Sequence, residues 1–322
     1  MRNDSADLSN DLKEIRYRLW WALYTLEHQL CSMTGRVNGI LDEQCTTPLP
    51  VPVVEEEFET RLGMRLLSRG YQQRKRAPSS NVATTRESAP SSRSGPNKQS
   101  SRSSSTAQST WSSDMDWAND VPPNMALYFL HLVQLSRLSQ TIIRRLYSPT
   151  ASQAQWSDIQ ILIENLNQQL DNWYHGLPAV FDFKRRQTEK HFYEARLALG
   201  FFYYNTKQVL YRPCLCPLDR RIPGPSGKSR RFNHAAATTC AVSAQEQLAL
   251  ISDDPNAVGL LRVGPWTSIV HLLVRSATVL MLEISFRAHH IPEQADDLLE
   301  SAKKTVRWLR VLGNKNLAAA RA

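Results

Sequence analysis

The 322-residue sequence lacks most of what would make it secreted, membrane-bound or catalytic. Its start, MRNDSADLSNDLKEI, has no apolar segment of the kind a secretory signal requires. Its longest apolar run, around residues 266–286, contains His271, Arg275 and Glu283. Three such groups are too costly for a bilayer, so the run reads as a buried helix and no membrane association is expected. The five cysteines (Cys31, Cys45, Cys214, Cys216 and Cys240) are odd in number and read as reduced, intracellular thiols. A binuclear zinc cluster needs six thiolates in Cys-x-x-Cys pairs, whereas the one close pair, Cys214 and Cys216, is a residue too tight. HExxH is absent, and the adjacent His289 and His290 cannot share a helical face. No metal or cofactor site is therefore expected in this chain. GxSxG, a glycine-rich dinucleotide fingerprint and a paired-carboxylate pattern are also missing, and no enzyme is expected. GPSGKS (224–229) resembles the end of a phosphate-binding loop, but Ile222 stands where that loop needs its first glycine. Sustained period-two alternation is absent too, so no strands are predicted.

What is present is helix, serine and a local excess of positive charge. The net charge is +9. Residues 61–102 hold ten Lys or Arg against one acid, Glu87, so this segment carries the whole excess. It overlaps residues 79–113, which contain fourteen serines and, of the large apolar residues, only Val82 and Trp111. Such a segment cannot offset an ordering cost of ~1–2 kcal/mol per residue and is expected to be disordered. Arg74, Lys75 and Arg76 beside it are a candidate nuclear-import run, preferred over 184–186. Ser88 and Ser94, flanked by arginine, invite phosphorylation, which would cut the local positive charge.

Elsewhere apolar residues recur at three-four spacing. Leu12, Ile15, Leu19, Leu23, Leu26, Leu30 and Met33 form one stripe, with Asp11 and Glu14 as a capping box and Gly35 as the helix stop. PLPVPV (48–53) is extended, because each proline removes a donor. Further stripes run Tyr128, Leu132, Leu135, Leu138, Ile142, Leu146; then Trp156, Ile159, Ile163, Leu166, Leu170, Trp173; then Phe192, Ala195, Leu199, Phe202, Thr206, Leu210, stopping before Pro213. A loop over 217–231 precedes three more predicted helices over 234–252, 265–290 and 292–312. The fold class is all-α, an irregular multi-helix bundle with a long disordered Ser-rich insertion. Its divisions are 1–68 (helical), 69–121 (basic, Ser-rich linker) and 122–322 (helical).

RYRLWWALYTLEHQLCSMTGRVNGILDEQCTTPLP resembles the middle homology region of fungal transcription factors that carry a binuclear zinc cluster. That family has an Arg-x-x-Trp-Trp helix, a Gly-Arg pair, and an acidic, Pro-containing exit. Arg18 or Arg16, Trp20, Trp21, Gly35, Arg36, Asp42 and Pro48-Leu49-Pro50 fill those places. LDNWYHGLP (170–178), with Trp173 and Pro178, looks like a later family segment. VLYRPCL (209–215), with Arg212 and Pro213, looks like another, and Cys240 to Leu248 resembles the small-residue helix after it. Val37 departs from a proline common in the family. The likeness covers most of the chain outside the serine-rich insert.

The resemblance implies the regulatory domain of a fungal nuclear factor acting on RNA polymerase II genes. DNA and zinc binding would belong to an N-terminal module preceding this sequence, which would begin in mid-domain. Transcription co-regulators or a small effector are the possible partners; the run FFYY (201–204) reads first as core packing, and Tyr203 and Asn205 are the candidate polar contacts should it line an effector pocket. The alternative is an unrelated α-helical interaction scaffold. Trp20 and Trp21 read as core anchors partly packed by helices ahead of residue 1, so the chain alone is expected to be marginal or aggregation-prone. No heptad seam stands outside the helices read as packed, and the oligomeric state is left open.

Overall fold

The computed structural model describes residues 9–42, 45–76, 121–185, 191–215, 226–314 and 316–321, with the side chains of 69–76 excluded. The serine-rich segment with Ser88 and Ser94, the side chains of Arg74, Lys75 and Arg76, Arg186, Cys216 and the start of the 217–231 loop lie outside that set. Among the described residues there are helices and no strands, as the periodicity predicts.

In chain order the helices are α1 (Asn10–Thr34), α2 (Arg61–Arg76), α3 (Met125–Leu146), α4 (Pro149–Gln153), α5 (Trp156–His175) and α6 (Tyr193–Leu215). They continue with α7 (Gly227–Ala249), α8 (Ala257–Val263), α9 (Ile269–Ser285), α10 (Ala295–Gly313) and α11 (Leu317–Arg321). Helix α6 is the centre. It is buried all round, with Leu197, Leu199, Phe201, Tyr203, Val209 and Leu210 enclosed by α3, α5, α7 and α9. Its apolar residues accordingly follow no single stripe. On α5 the predicted face holds, since Ile159, Ile163, Leu166 and Leu170 are its buried residues.

Helix α1 reverses the expectation. Its N-cap is Ser9, which accepts from the Leu12 N–H, and Glu14 is no capping residue because it turns inward. Gly35 does end the helix, in the left-handed conformation at φ 67°. The leucine stripe, however, faces out: Leu12, Ile15, Leu19, Leu23, Leu26 and Leu30 are 42–62% exposed. The buried residues are Lys13, Glu14, Trp21, Tyr24, Thr25 and His28. Aromatic and hydrogen-bonding residues outcompete leucine here because α3 and the extended segment 45–54 offer them specific partners.

Three boundaries also differ. Helix α6 runs through Pro213 to Leu215, for a reason given below. Helix α7 starts at Gly227, where the Ser226 hydroxyl accepts from the Ser229 N–H at 3.1 Å, so the end of the GPSGKS stretch is a helix cap. Helix α9 spans Ile269–Ser285, shorter than 265–290 at both ends. Arg287 and Ala288 take positive φ, which ends a right-handed helix. Among the described residues no helix is long and apolar enough to cross a membrane.

Candidate functional site

The motif around the paired tryptophans is a clamp between α1 and the extended segment after it. Trp21 is buried, and its indole N–H donates to the Pro48 carbonyl at 2.6 Å. Its ring meets Tyr24 edge-on at 5.1 Å and lies under the Arg137 guanidinium. Trp20 is half-buried and points its N–H at Cys45 Sγ, 3.3 Å away. Both indoles therefore find partners within the chain, and the unpartnered surface falls on the leucines of α1. Of the two arginines that might fill the motif, Arg16 is exposed. Arg18 donates to the carbonyls of Val51 and Val53 and packs over the Phe58 ring. Glu14 accepts from Arg18 and from the Val51 N–H. Asp42 accepts from the Tyr24 hydroxyl at 2.6 Å and faces Arg137 at 3.6 Å. Pro50 is buried, and Arg36 is exposed, engaged through its backbone N–H to Cys31.

The later motifs are structural too. Trp173 stacks on Tyr203 at 5.9 Å and donates to the His131 carbonyl at 3.2 Å. Pro178 precedes a short turn that buries Phe181. Pro213 has no N–H to give the Val209 carbonyl four residues back. The Tyr147 hydroxyl supplies that bond at 2.7 Å, and the Arg212 guanidinium covers the Tyr147 ring at 5.0 Å. The helix passes through Pro213 because a tyrosine from outside satisfies the carbonyl that proline leaves unpaired.

A small cavity with several polar groups in a largely apolar lining lies where α1, α3, α6 and α9 meet. It encloses ≈ 30 Å³ and is lined by His28, Ser32, Ser136, Ser139, Asn205 and His271, among others. Beside it the Arg275 guanidinium donates to Asn205 Oδ1 at 2.9 Å, to the Ser32 carbonyl at 3.2 Å and to His271 Nε2 at 2.7 Å. Burial, and then the Arg275 charge, push His28 and His271 down to about 4. Both rings are therefore neutral at physiological pH. Burial, with Arg212 nearby, brings Arg275 itself down to about 10, so it stays charged.

Of the pair expected at an effector pocket, Asn205 lines this cavity. Tyr203, two residues away, points to the opposite side of α6, because two residues turn a helix by about 200°. There it sits among Trp173, Tyr174, Phe183 and Tyr204. Its hydroxyl makes no hydrogen bond of ordinary geometry. His28, His271 and Arg275 were not among the expected contacts. His271 and Arg275 sit four apart on one helical face inside an apolar run, and that spacing was the available signal. In the alternative import run, Lys184 lies over the Tyr174 ring at 3.8 Å and Arg185 pairs with Asp182.

The family described as "Fungal specific transcription factor domain" matches residues 2–175. "Transcription regulator galc" of Aspergillus niger is 27% identical over 96% of this chain and 39% of its own length. An uncharacterized transcriptional regulatory protein of Schizosaccharomyces pombe is 24% identical over 69% of the chain and 20% of its own length. "Pyrimidine pathway regulatory protein 1" of Saccharomyces cerevisiae is 44% identical over 48 residues, 15% of the chain and 5% of that protein. The chain thus spans well under half of these relatives. No solved structure matches it. The matched segment ends two residues past Trp173 and includes the whole tryptophan clamp, and on that evidence this chain belongs to the fungal specific transcription factor domain family.

Proposed function

We propose that this chain is the regulatory part of a nuclear regulator of RNA polymerase II transcription, and that an effector or co-regulator acts on it at the four-helix cavity. DNA recognition, and the zinc cluster that would supply it, are assigned to another module of the full-length protein. The observation that carries the reading is the cavity itself: a small pocket whose polar lining residues Ser32, Asn205 and His271 are each bonded by Arg275 behind them, inside a helical domain whose family is one of transcription regulators. Ligand pockets are mostly apolar with a few placed polar groups that fix orientation, and this cavity has that make-up. Arg74, Lys75 and Arg76 are assigned to nuclear import.

The test is a reporter assay in which residues 1–322 are fused to a heterologous DNA-binding domain. The fusion is expected to change output relative to that domain alone, and Asn205→Ala to alter the change. Unaltered output from the intact fusion would sink the reading. The purified chain by itself is expected to show no sequence-selective DNA binding at ~150 mM salt, where charge alone binds weakly. Deleting 74–76 is expected to leave a fluorescent fusion outside the nucleus, and continued nuclear accumulation would remove that assignment.

A further inference from the structure

At the junction of α1, α3, α6 and α9 the described residues bring no carboxylate into hydrogen-bonding contact with Arg275. All of the groups that receive hydrogen bonds from Arg275 are uncharged: the Asn205 amide, the Ser32 carbonyl and hydroxyl, and the His271 ring. Among the described residues none of its hydrogen-bond partners is a carboxylate, and Arg212, another cation, acts on it electrostatically. Arg212 is already engaged with Tyr147. Arg275 is half-buried; a guanidinium cannot shed its proton in such a setting, so whatever desolvation cost it carries is not offset by a paired anion. Glu27, the acid beside His28 on α1, is turned away: it accepts from Asn38 and from the Gly39 N–H.

Arg275 stands behind the cavity wall, bonded to the lining residues Asn205, Ser32 and His271, and the wall itself supplies donors. Asn38 Nδ2 lies 3.3 Å from His28 Nδ1, which therefore accepts, so the neutral ring carries its proton on Nε2. Ser136 and Ser139 of α3 add buried hydroxyls to the lining. A space of ≈ 30 Å³ holds about two water-sized groups, the size of a carboxylate. Gln29 and Met33, both half-buried, stand at its open mouth.

We propose that this cavity binds the carboxylate of a small organic acid, with Arg275 as its charge partner, His28 and the serine hydroxyls as further donors, and the rest of the ligand in the mouth beside Gln29 and Met33. The proposal rests on the effector-site reading above and adds the chemical class of the ligand. Such a ligand would tie α1 to α9. The Arg275–Ser32 bonds link those two helices across 243 residues of chain, whereas α1 otherwise packs chiefly on α3 and α2.

The experiment measures the thermal midpoint of the purified chain in potassium acetate, succinate or citrate, against chloride at matched ionic strength and pH 7.5. At least one acid is expected to raise the midpoint saturably, by about 5 °C at a hundredfold excess over its Kd. Arg275→Gln should abolish the rise. Because that variant can fail to fold, Asn205→Asp is the second: it sets a fixed carboxylate against Arg275. It should raise the midpoint without ligand and weaken the acid response at least tenfold. No acid exceeding chloride, or an undiminished response in Asn205→Asp, overturns the proposal. If the reporter fusion still modulates output while every acid fails, the ligand class is wrong and the regulatory reading stands. A silent fusion removes the regulatory reading, whatever the acids do.

Discussion

Glu14 and Val51, 37 residues apart, are joined by a 2.6 Å hydrogen bond from the Val51 N–H to the Glu14 carboxylate. The same carboxylate faces Arg18, whose guanidinium grips the Val51 and Val53 carbonyls. An extended segment rich in proline has few donors and no neighbouring strand, so its polar groups must be met by side chains. Two residues one helical turn apart on α1 meet both kinds.

Removing the acid should therefore weaken the attachment of 45–54 more than a surface substitution would. Glu14→Ala leaves a buried N–H and part of a guanidinium unpaired and is expected to cost about 3 kcal/mol. Glu14→Gln, which keeps an acceptor, should cost roughly half that. Urea unfolding of the three proteins checks the order, and equal midpoints would contradict it.

Tyr147→Phe deletes the hydroxyl that donates to the Val209 carbonyl left open by Pro213. A loss of about 1–2 kcal/mol is expected. Pro213→Ala supplies the missing N–H, so the double variant should recover most of that loss. A double-mutant cycle without coupling would mean that the tyrosine hydroxyl and the proline are independent.

Stability should fall between neutral and mildly acidic pH. His28 and His131 are buried, and burial first of all holds each at about 4, below an ordinary 6.5. Between those values the unfolded chain takes up protons that the fold refuses. The stabilisation is thus complete above pH 6.5 and declines as pH drops toward 4. At pH 5 each histidine accounts for roughly 2 kcal/mol. Glu283 adds to the loss in stronger acid: although burial alone would raise it, hydrogen bonds from His290 hold it below its ordinary value. Urea midpoints at pH 7.5 and 5.0 test this, and a flat profile would refute it.

The outward leucines of α1 should govern how the isolated chain behaves in solution. An exposed apolar face of this length promotes association. Replacing Leu19, Leu23 and Leu26 together with glutamine, a comparable helix former, should leave helix content unchanged. Binding of an apolar dye and sedimentation as large species should both decrease. If neither changes, the face is not what makes the chain associate.

The fold class was legible because helices advertise themselves locally. The α5 stripe from Ile159 to Leu170 and the left-handed stop at Gly35 follow from spacing and backbone sterics alone. Arg18, rather than Arg16, could be chosen only once the segment it holds was in place. Likewise Asn205 was recognisable as a polar residue in an apolar helix, while its separation from Tyr203 by the body of α6 emerged with the packing.

The amino-acid order by itself determined where helices form, that no strands compete, and which family the tryptophan, Gly-Arg and Arg-Pro segments belong to. Each of these depends on neighbours within a few residues. Tertiary structure alone decided which side of α1 is inside, how the helix survives Pro213, and that Arg275 meets Ser32 and Asn205. The reason is physical: a spacing pattern reports that an apolar face exists, but burial goes to whichever face finds partners, and those partners come from distant parts of the chain.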